Sequence, residues 1–269
     1  MNVEQAVAFV EACGDSPQKA LARYAARRIT ADEALAAIAE RQRADGSWSG
    51  IDLDMPAAVS SISQTWIGLQ WLIWLRPAGA DMLDRTVAFL KGVQQPAGNW
   101  DEPDDITQHN PPPWMIPGNH DNQIWLTSAV MCKLKELERE KDVRAHLARR
   151  FLRRAWQRDR KQFNDGTHSH WMALPFFFGS SNELDREIVA GCRARLLYAA
   201  VIIVLDPGDY HAAAYAALLI GDTTLFAACM SKLEGFQQAD GGMTTRYGDQ
   251  HRPNGTVEML FLLRRANKL

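Results

Sequence analysis

The sequence predicts an all-helical fold, and two observations lead to this prediction. Apolar residues recur at the spacing of amphipathic helices along most of the 269 residues, and no segment alternates apolar and polar residues as a half-buried strand does. Turn-forming residues separate the helical stretches, as in Arg76-Pro77-Ala78-Gly79 and Asp206-Pro207-Gly208-Asp209. We therefore expect helix, turn and helix to repeat along the chain.

The predicted helices follow one another from the N-terminus onward. Short helices are expected at 3–12, 20–27 and 34–42, and Thr30 with Glu33 forms a capping-box start before the third. Further helical periodicity covers 60–75, 82–94, 122–140, 143–162, 184–205, 210–220, 223–237 and 256–266.

Composition and charge exclude several classes of protein. With 46% hydrophobic residues and 9 tryptophans, the chain can bury a large core. The net charge of −2 is spread over 30 basic and 32 acidic residues, so no basic face for nucleic acid is expected. Four widely spaced cysteines, no basic leader before an apolar stretch and no apolar run of membrane-spanning length predict a cytoplasmic protein without a transmembrane segment. The oligomeric state is not specified.

A turn motif, Q-x-x-x-G-x followed by a bulky residue, repeats along the sequence. Its glycine can adopt the left-handed conformation that ends a helix, its glutamine can bond freed backbone groups, and its bulky residue can pack over the turn. The copies are Gln42 to Trp48, Gln94 to Trp100, Gln237 to Met243 and a degenerate fourth, Gln162 to His168.

These turns resemble those of the squalene-cyclase and protein-prenyltransferase superfamily, in which Q-x-x-x-G-x-W turns join the outer to the inner helices of an α/α toroid. The resemblance extends from about Ala31 onward. It implies one α/α-toroid domain over 1–269, with 1–30 as N-terminal helices that close the ring, around a deep apolar cavity for an isoprenoid. Because the same architecture also serves polysaccharide lyases, glycosidases and binding domains, the fold alone assigns no chemistry.

The resembling class II cyclases carry an acidic D-x-D-D motif at the start of an inner helix. The nearest segment here is Glu102-Pro103-Asp104-Asp105, which makes Asp104 and Asp105 candidate acids. The segment also fits a solvated loop. Together with Asp101 it is similar to a D-D-x-x-D motif, so Mg²⁺ is a possible cofactor if the substrate is a diphosphate. No metal is otherwise expected.

The segment from Pro111 to Trp125 is long and apolar for a connection, which is typical of a lid or a site wall. It leads to His120 and Asp121, at the start of a predicted inner helix. Asp121 is a further candidate acid, with His120 as its partner, and Asp121 and Asp105 are the two preferred candidates. Alternatively, Asp121 or Asn119 caps the helix.

A second cluster, at Thr167 to Trp171, places His168 and His170 at the start of another inner helix. His168 is a candidate catalytic residue and His170 a candidate ligand contact. With His120 and Asp121, these histidines also suit a Zn²⁺ site, which is an alternative interpretation.

Aromatic side chains are expected to line the cavity and stabilise carbocations by cation–π attraction. Ordinary helix packing is the alternative for each of them. The candidates are Trp66, Trp114, Trp125, Trp171 and Phe177, and Asp52 with Asp54 forms a reserve pair of carboxylates.

The leading interpretation is a terpene-cyclase-like enzyme, in which one acid initiates cyclisation of an isoprenoid held by aromatic residues. A carbohydrate lyase or glycosidase on the same toroid is an alternative, and so is a binding module without catalysis. The three differ in the cavity they require, which is apolar with one acid for a cyclase, polar for a carbohydrate enzyme and closed for a scaffold.

Overall fold

The computed structural model describes residues 1–51, 55, 57–164, 167–203 and 205–268. This part of the chain forms twelve α-helices joined by turns and short 3-10 segments, and it contains no β-strand, only isolated bridges. The predicted all-helical class is therefore confirmed.

No helix within the described ranges combines the length and the apolar character needed to cross a membrane.

The chain divides into two compact units, and the single toroid over 1–269 stays a prediction. Unit 1 comprises Met1–Ala39 and Leu196–Leu269, and unit 2 comprises Glu40–Arg195. The helices of unit 1 are α1 (Val3–Cys13), α2 (Ser16–Ala25), α3 (Ala31–Ile38), α10 (Pro207–Ile220), α11 (Thr223–Leu233) and α12 (Arg252–Arg265). Those of unit 2 are α4 (Ile62–Trp74), α5 (Ala80–Val93), α6 (His120–Glu136), α7 (Ala145–Ala155) and α8 (His168–Phe177). The chain passes from unit 2 to unit 1 within α9 (Glu183–Ile202).

Unit 2 is built from two kinds of helix. Helices α4, α6 and α8 are buried over most of their length, whereas α7 buries only Ala148 and Leu152. Helix α6 packs against both α4 and α8. The apolar helices therefore form the core of this unit, and amphipathic helices such as α7 cover it.

The glutamine of each repeated turn bonds its own turn. The Nε2 atom of Gln94 donates to the carbonyl oxygen of Gly98 at 2.8 Å, and Gln237 makes the same bond to Gly241 at 2.9 Å. These bonds satisfy carbonyl groups within the turns that follow each helix.

The same glutamines also bond the start of another helix. Gln42 donates to the carbonyl oxygen of Met82, on α5, at 2.8 Å. Gln94 accepts from the N–H of Arg144, which precedes α7, at 2.8 Å. Gln237 exchanges two bonds with the backbone of Asn2, which caps α1. The last turn of the chain thus holds its first helix.

The glycine of each turn touches the backbone of the helix that its glutamine bonds. Gly98 has a φ of 98°, and a Cβ atom there would lie 2.3 Å from the carbonyl carbon of Leu147, on α7. Gly241 has a φ of 94° and lies equally close to Gln5, on α1. Only glycine combines this φ with so close an approach.

The bulky residue of each turn ties the turn to a buried helix. The main-chain N–H of Trp48 donates to the Oγ1 atom of Thr65 at 3.2 Å. Trp100 bonds Thr127 in the same way at 3.1 Å. Met243 bonds Thr256 at 2.9 Å. In these three cases a threonine of the next buried helix accepts one bond from the turn that precedes it.

A fourth turn of the same kind runs from Gln157 to Phe163, whereas the sequence predicts it at Gln162 to His168. Gln157 pairs with Gln162, Lys161 takes the left-handed conformation with a φ of 53°, and the buried Phe163 donates its N–H to His170 Nε2 at 3.2 Å. Because Lys161 stands where the other copies have glycine, the turn was hidden within the helix predicted at 143–162. Residues 165 and 166 of the predicted copy lie outside the described residues.

We predict that Gly98→Ala lowers the free energy of unfolding by about 2 kcal/mol or more, because the methyl group meets α7 and the φ is left-handed. Urea denaturation measures the change. The matched control is Gly92→Ala on α5, where a Cβ atom meets nothing within 4 Å and stability should rise slightly. Equal stability of the two variants would contradict the role of the contact.

Candidate ligand site of unit 2

Three of the predicted aromatic residues meet in unit 2. Trp66 on α4 and Trp125 on α6 pack edge to face, with ring centroids 5.6 Å apart. Trp114 packs against Trp125 in the same manner, at 6.3 Å. All three residues remain partly exposed, and Trp114 is 39% exposed. We call these three residues the tryptophan cluster.

The loop that carries Trp114 is held in place from both sides. The Oδ2 atom of Asp101 accepts bonds from the N–H of Gly118 at 2.9 Å and from Gln123 Nε2 at 2.7 Å. Met115, next to Trp114, is fully buried. The segment before α6 is therefore tethered to Asp101 and anchored in the core by Met115.

Asp121 lies beside the tryptophan cluster at the start of α6. Asn119 caps the helix, because its side chain accepts from the N–H groups of Asp121 and Asn122. The carboxylate of Asp121 is thus not used as the cap, and it accepts a bond from Asn164 Nδ2 at 3.2 Å. Asp121 precedes Trp125 by one helical turn, so both share one face of α6.

His120 is exposed, and its ring lies edge-on to Phe151 at a centroid distance of 5.6 Å. It is adjacent to Asp121 in the chain, but no described bond joins the two side chains. Its predicted role as the partner of Asp121 rests on this proximity alone.

The acidic segment after Trp100 does not place Asp104 or Asp105 in a dry pocket. Asp104 and Asp105 are exposed on the 3-10 segment Asp104–His109. Glu102 is buried, and its carboxyl group accepts from the N–H groups of Ile62 and Ser63, both at 2.9 Å. Burial raises the pKa of Glu102. This residue therefore anchors the start of α4, while Asp104 and Asp105 lack the dry surroundings that an initiating acid needs.

His170 serves the fold, which corrects its expected place as a ligand contact. It is fully buried, accepts the N–H of Phe163 and occupies the position that threonine holds after the other three turns. Burial lowers the pKa of His170 to about 3, so the ring is neutral. A neutral, buried imidazole engaged by the backbone is an acceptor that orders α8.

Helix α8 carries His168 and Trp171 near the protein surface. Their rings lie 5.5 Å apart, and both side chains are partly exposed. Phe177, by contrast, is fully buried against Phe176 at 5.0 Å and lies 5.2 Å from the Arg149 guanidinium. Phe177 is therefore a core residue, and its expected place in a ligand wall is corrected.

Within the described ranges, no three His, Cys, Asp or Glu side chains are grouped as a metal site requires. The alternative Zn²⁺ site of His120, Asp121, His168 and His170 is therefore not formed. Asp52 and Asp54 lie outside the described residues.

The sequence interpretation missed Lys133 on α6. This lysine is only 1% exposed, its Nζ atom donates to Gln70 Oε1, and it lies 5.9 Å from the centre of the Trp66 ring. The signal was present, because Lys133 follows Trp125 by eight residues on the same helical face and interrupts an apolar stretch. Lys133 therefore joins α6 to Gln70 on α4, next to the Trp66 ring.

No protein-family model matches this chain, and no curated protein matches its sequence.

We predict that His170→Thr reduces the acid sensitivity of the fold. The pKa of His170 is lowered to about 3 in the folded protein. As the pH falls, the imidazole therefore binds its proton in the unfolded chain before it does so in the folded protein. The stability that is present above pH 6.5 is lost as the pH falls towards 3. The slope reaches at most about 1.4 kcal/mol per pH unit. Threonine keeps an acceptor for Phe163 and has no such proton.

Urea denaturation at several pH values between about 4 and about 7 measures how steeply the free energy of unfolding changes with pH. The control is His146→Thr on the exposed face of α7, which should keep the slope of the unaltered protein. Parallel pH profiles of the unaltered protein and His170→Thr would show that His170 is not buried in its neutral form.

Proposed function

We propose that this protein is a cytoplasmic, terpene-cyclase-like enzyme that holds an isoprenoid on the tryptophan cluster and initiates its reaction with Asp121. The observation that carries the proposal is the contact of Trp66, Trp125 and Trp114 beside the first turn of α6. The repeated turns support it, since they place Trp66 and Trp125 on adjacent buried helices.

The tryptophan cluster suits an apolar and partly unsaturated ligand. Three tryptophans from two helices and one loop pack together and remain partly exposed as residues. Such rings bind hydrocarbon by burial of apolar area and stabilise positive charge by cation–π attraction. A carbocation formed next to Trp125 would therefore be stabilised where it arises.

Asp121 is the acid that the geometry favours over Asp104 and Asp105. In this reaction the carboxyl group of Asp121 gives its proton to one carbon of an alkene, and the other carbon becomes the carbocation. Loss of a proton to a base, for which His120 is the nearest histidine in the chain, then restores an alkene. A substrate covering Trp125 would also shield Asp121 from water.

A carbohydrate-active enzyme is the second candidate, and the exposure of Trp114 favours it. An exposed indole 39% accessible to solvent is a platform for a sugar ring, and Asp121 is a carboxylate within the same site. The edge-to-face packing of Trp114 on Trp125 leaves one such platform, whereas an apolar chain would contact all three rings.

We predict that the purified protein converts farnesyl diphosphate, geranylgeranyl diphosphate or squalene into a new product. The product should be lost in Asp121→Asn, since the amide cannot donate the proton. Mass spectrometry of extracts, with and without Mg²⁺, measures conversion and shows whether a diphosphate is retained.

The matched control is Asp105→Asn, which removes an exposed carboxylate and should leave conversion within about twofold, as expected for a surface substitution. If Asp105→Asn lost the product and Asp121→Asn kept it, the assignment of Asp121 as the acid would be wrong. Unchanged isoprenoids together with cleavage of an oligosaccharide would favour the second candidate.

A further inference from the structure

A short segment of unit 2 concentrates positive charge. Residues 149–161 include seven arginine or lysine side chains and one acidic residue, Asp159, whereas the whole chain has 30 basic and 32 acidic residues. The segment covers the second half of α7 and most of the fourth turn. The even balance of the whole chain led us to expect no basic face, and this segment corrects that expectation.

Two of these arginines are paired within the fold. Arg149 and Arg153 each donate to the carboxylate of Asp185, on α9, at 2.7 Å. Asp185 is fully buried, so both guanidinium groups are directed towards α9. Packing of α9 therefore accounts for these two arginines, and it leaves the other cations of the segment unexplained.

The remaining basic side chains of the segment are exposed, and we call them the basic face. They are Arg150, Arg154, Arg158, Arg160 and Lys161. Arg158 donates to Glu187 at 3.0 Å while 69% of its side chain stays exposed. The side chains of the other four form no hydrogen bond or salt bridge within the described ranges. Four cations of the basic face are thus available to an anionic partner.

The turn that carries three of these charges is anchored at both ends. Trp156 and Phe163 are buried and pack edge to face, with ring centroids 5.0 Å apart. Trp156 also donates its indole N–H to Glu187 at 2.9 Å. Because these contacts hold the turn in place, a partner does not have to order it on binding, and this lowers the entropic cost of the complex.

Lys161 is the most informative residue of the basic face. It adopts the left-handed conformation, with a φ of 53°, at the position where the other three turns have glycine. Glycine takes this conformation without strain, so a lysine destabilises the turn relative to glycine. A charged side chain at a position that favours glycine indicates that its charge has a use outside the fold.

We propose that the basic face docks a short acidic segment of a partner protein. Arg150 and Arg154 are one helical turn apart, about 6 Å along the axis of α7, which matches glutamates at every fourth position of an acidic helix. Guanidinium groups bind such carboxylates through two parallel N–H groups. The cations of the turn bind further carboxylates of the same segment. This interaction is independent of the proposed isoprenoid site.

Two observations favour an acidic protein segment over a nucleic acid. The aromatic rings of this segment do not form an exposed platform for bases, because Trp156 and Phe163 are buried and Phe151 packs against His120. The rest of the chain has more acidic than basic residues. Such a surface repels a long phosphate backbone, whereas a short segment contacts the basic face alone.

The binding test uses the 269-residue chain and three fluorescein-labelled probes. The first probe is a helical peptide of repeated Glu-Ala-Ala-Ala, the second has glutamine in place of glutamate, and the third is an oligouridylate of the same net charge as the first. Fluorescence anisotropy gives a Kd for each. We expect the glutamate peptide to bind about tenfold or more tightly than either of the other probes.

Binding of the glutamate peptide should also weaken as salt rises from about 0.01 M to about 0.15 M, because the Debye length falls from about 30 Å to about 8 Å. Affinity that does not change with salt would contradict docking by charge.

The combined variant Arg150→Glu with Arg154→Glu examines the helical part of the basic face. It should weaken binding of the glutamate peptide about tenfold or more, since repulsion replaces attraction at two positions. The matched control is Lys91→Glu with Lys232→Glu, which reverses two exposed lysines on α5 and α11 and changes the net charge equally. The control should keep the Kd within about twofold.

The variant Lys161→Gly separates binding from folding. Removal of the strained conformation should leave the free energy of unfolding unchanged or higher, as urea denaturation measures. The glutamate peptide should nevertheless bind about threefold more weakly, because one cation of the basic face is lost. A residue that serves only the fold would not change the affinity in this way.

Three results would overturn the proposal. One is tighter binding of the oligouridylate than of the glutamate peptide, which would make a nucleic acid the partner. Another is equal affinity of the unaltered protein and the Arg150→Glu, Arg154→Glu variant for the glutamate peptide. The third is unchanged affinity in Lys161→Gly.

Discussion

The hydrogen-bonded turn is the constraint on which the rest of the structure depends. In each glycine-containing copy, the glutamine holds its own turn and the start of a neighbouring helix, while the main-chain N–H of the bulky residue reaches a threonine in a buried helix. One short segment thus fixes three elements at once. The bonds also satisfy backbone N–H and C=O groups that would otherwise have no hydrogen-bond partner, and burying such groups without a partner destabilises the folded state.

Much of this arrangement follows from the sequence. The helical class, the three glycine-containing turns and the role of their glutamines were predicted, because periodicity and turn chemistry are local properties. The fourth turn was not found from the sequence, since Lys161 adopts a left-handed conformation there and lysine, unlike glycine, does not indicate such a conformation. The function of His170 was also missed. Its imidazole takes the place of a threonine that accepts a main-chain N–H from the turn, and this bond is visible only in the structure.

The candidate site was predicted less completely than the fold. Trp66, Trp114 and Trp125 come together from distant positions, because the loop before α6 is tethered by Asp101. Sequence alone could not separate Glu102 from Asp104 and Asp105, since only burial distinguishes an anchor of α4 from two exposed carboxylates. Lys133 was missed because a lysine on a helix is usually solvated, and its burial depends on its packing against α4.

The bond from each turn to its buried helix spans very different lengths of chain. The same contact joins residues 7, 13, 17 and 27 positions apart, from Phe163 to His170 up to Trp100 to Thr127. Closing a longer loop costs only about 0.6 kcal/mol for each doubling of its length. The scaffold therefore tolerates insertion at these points without loss of register. The longest insertion is the one that carries Trp114 and leads to Asp121, so new chemistry can evolve there while the helices around it keep their places.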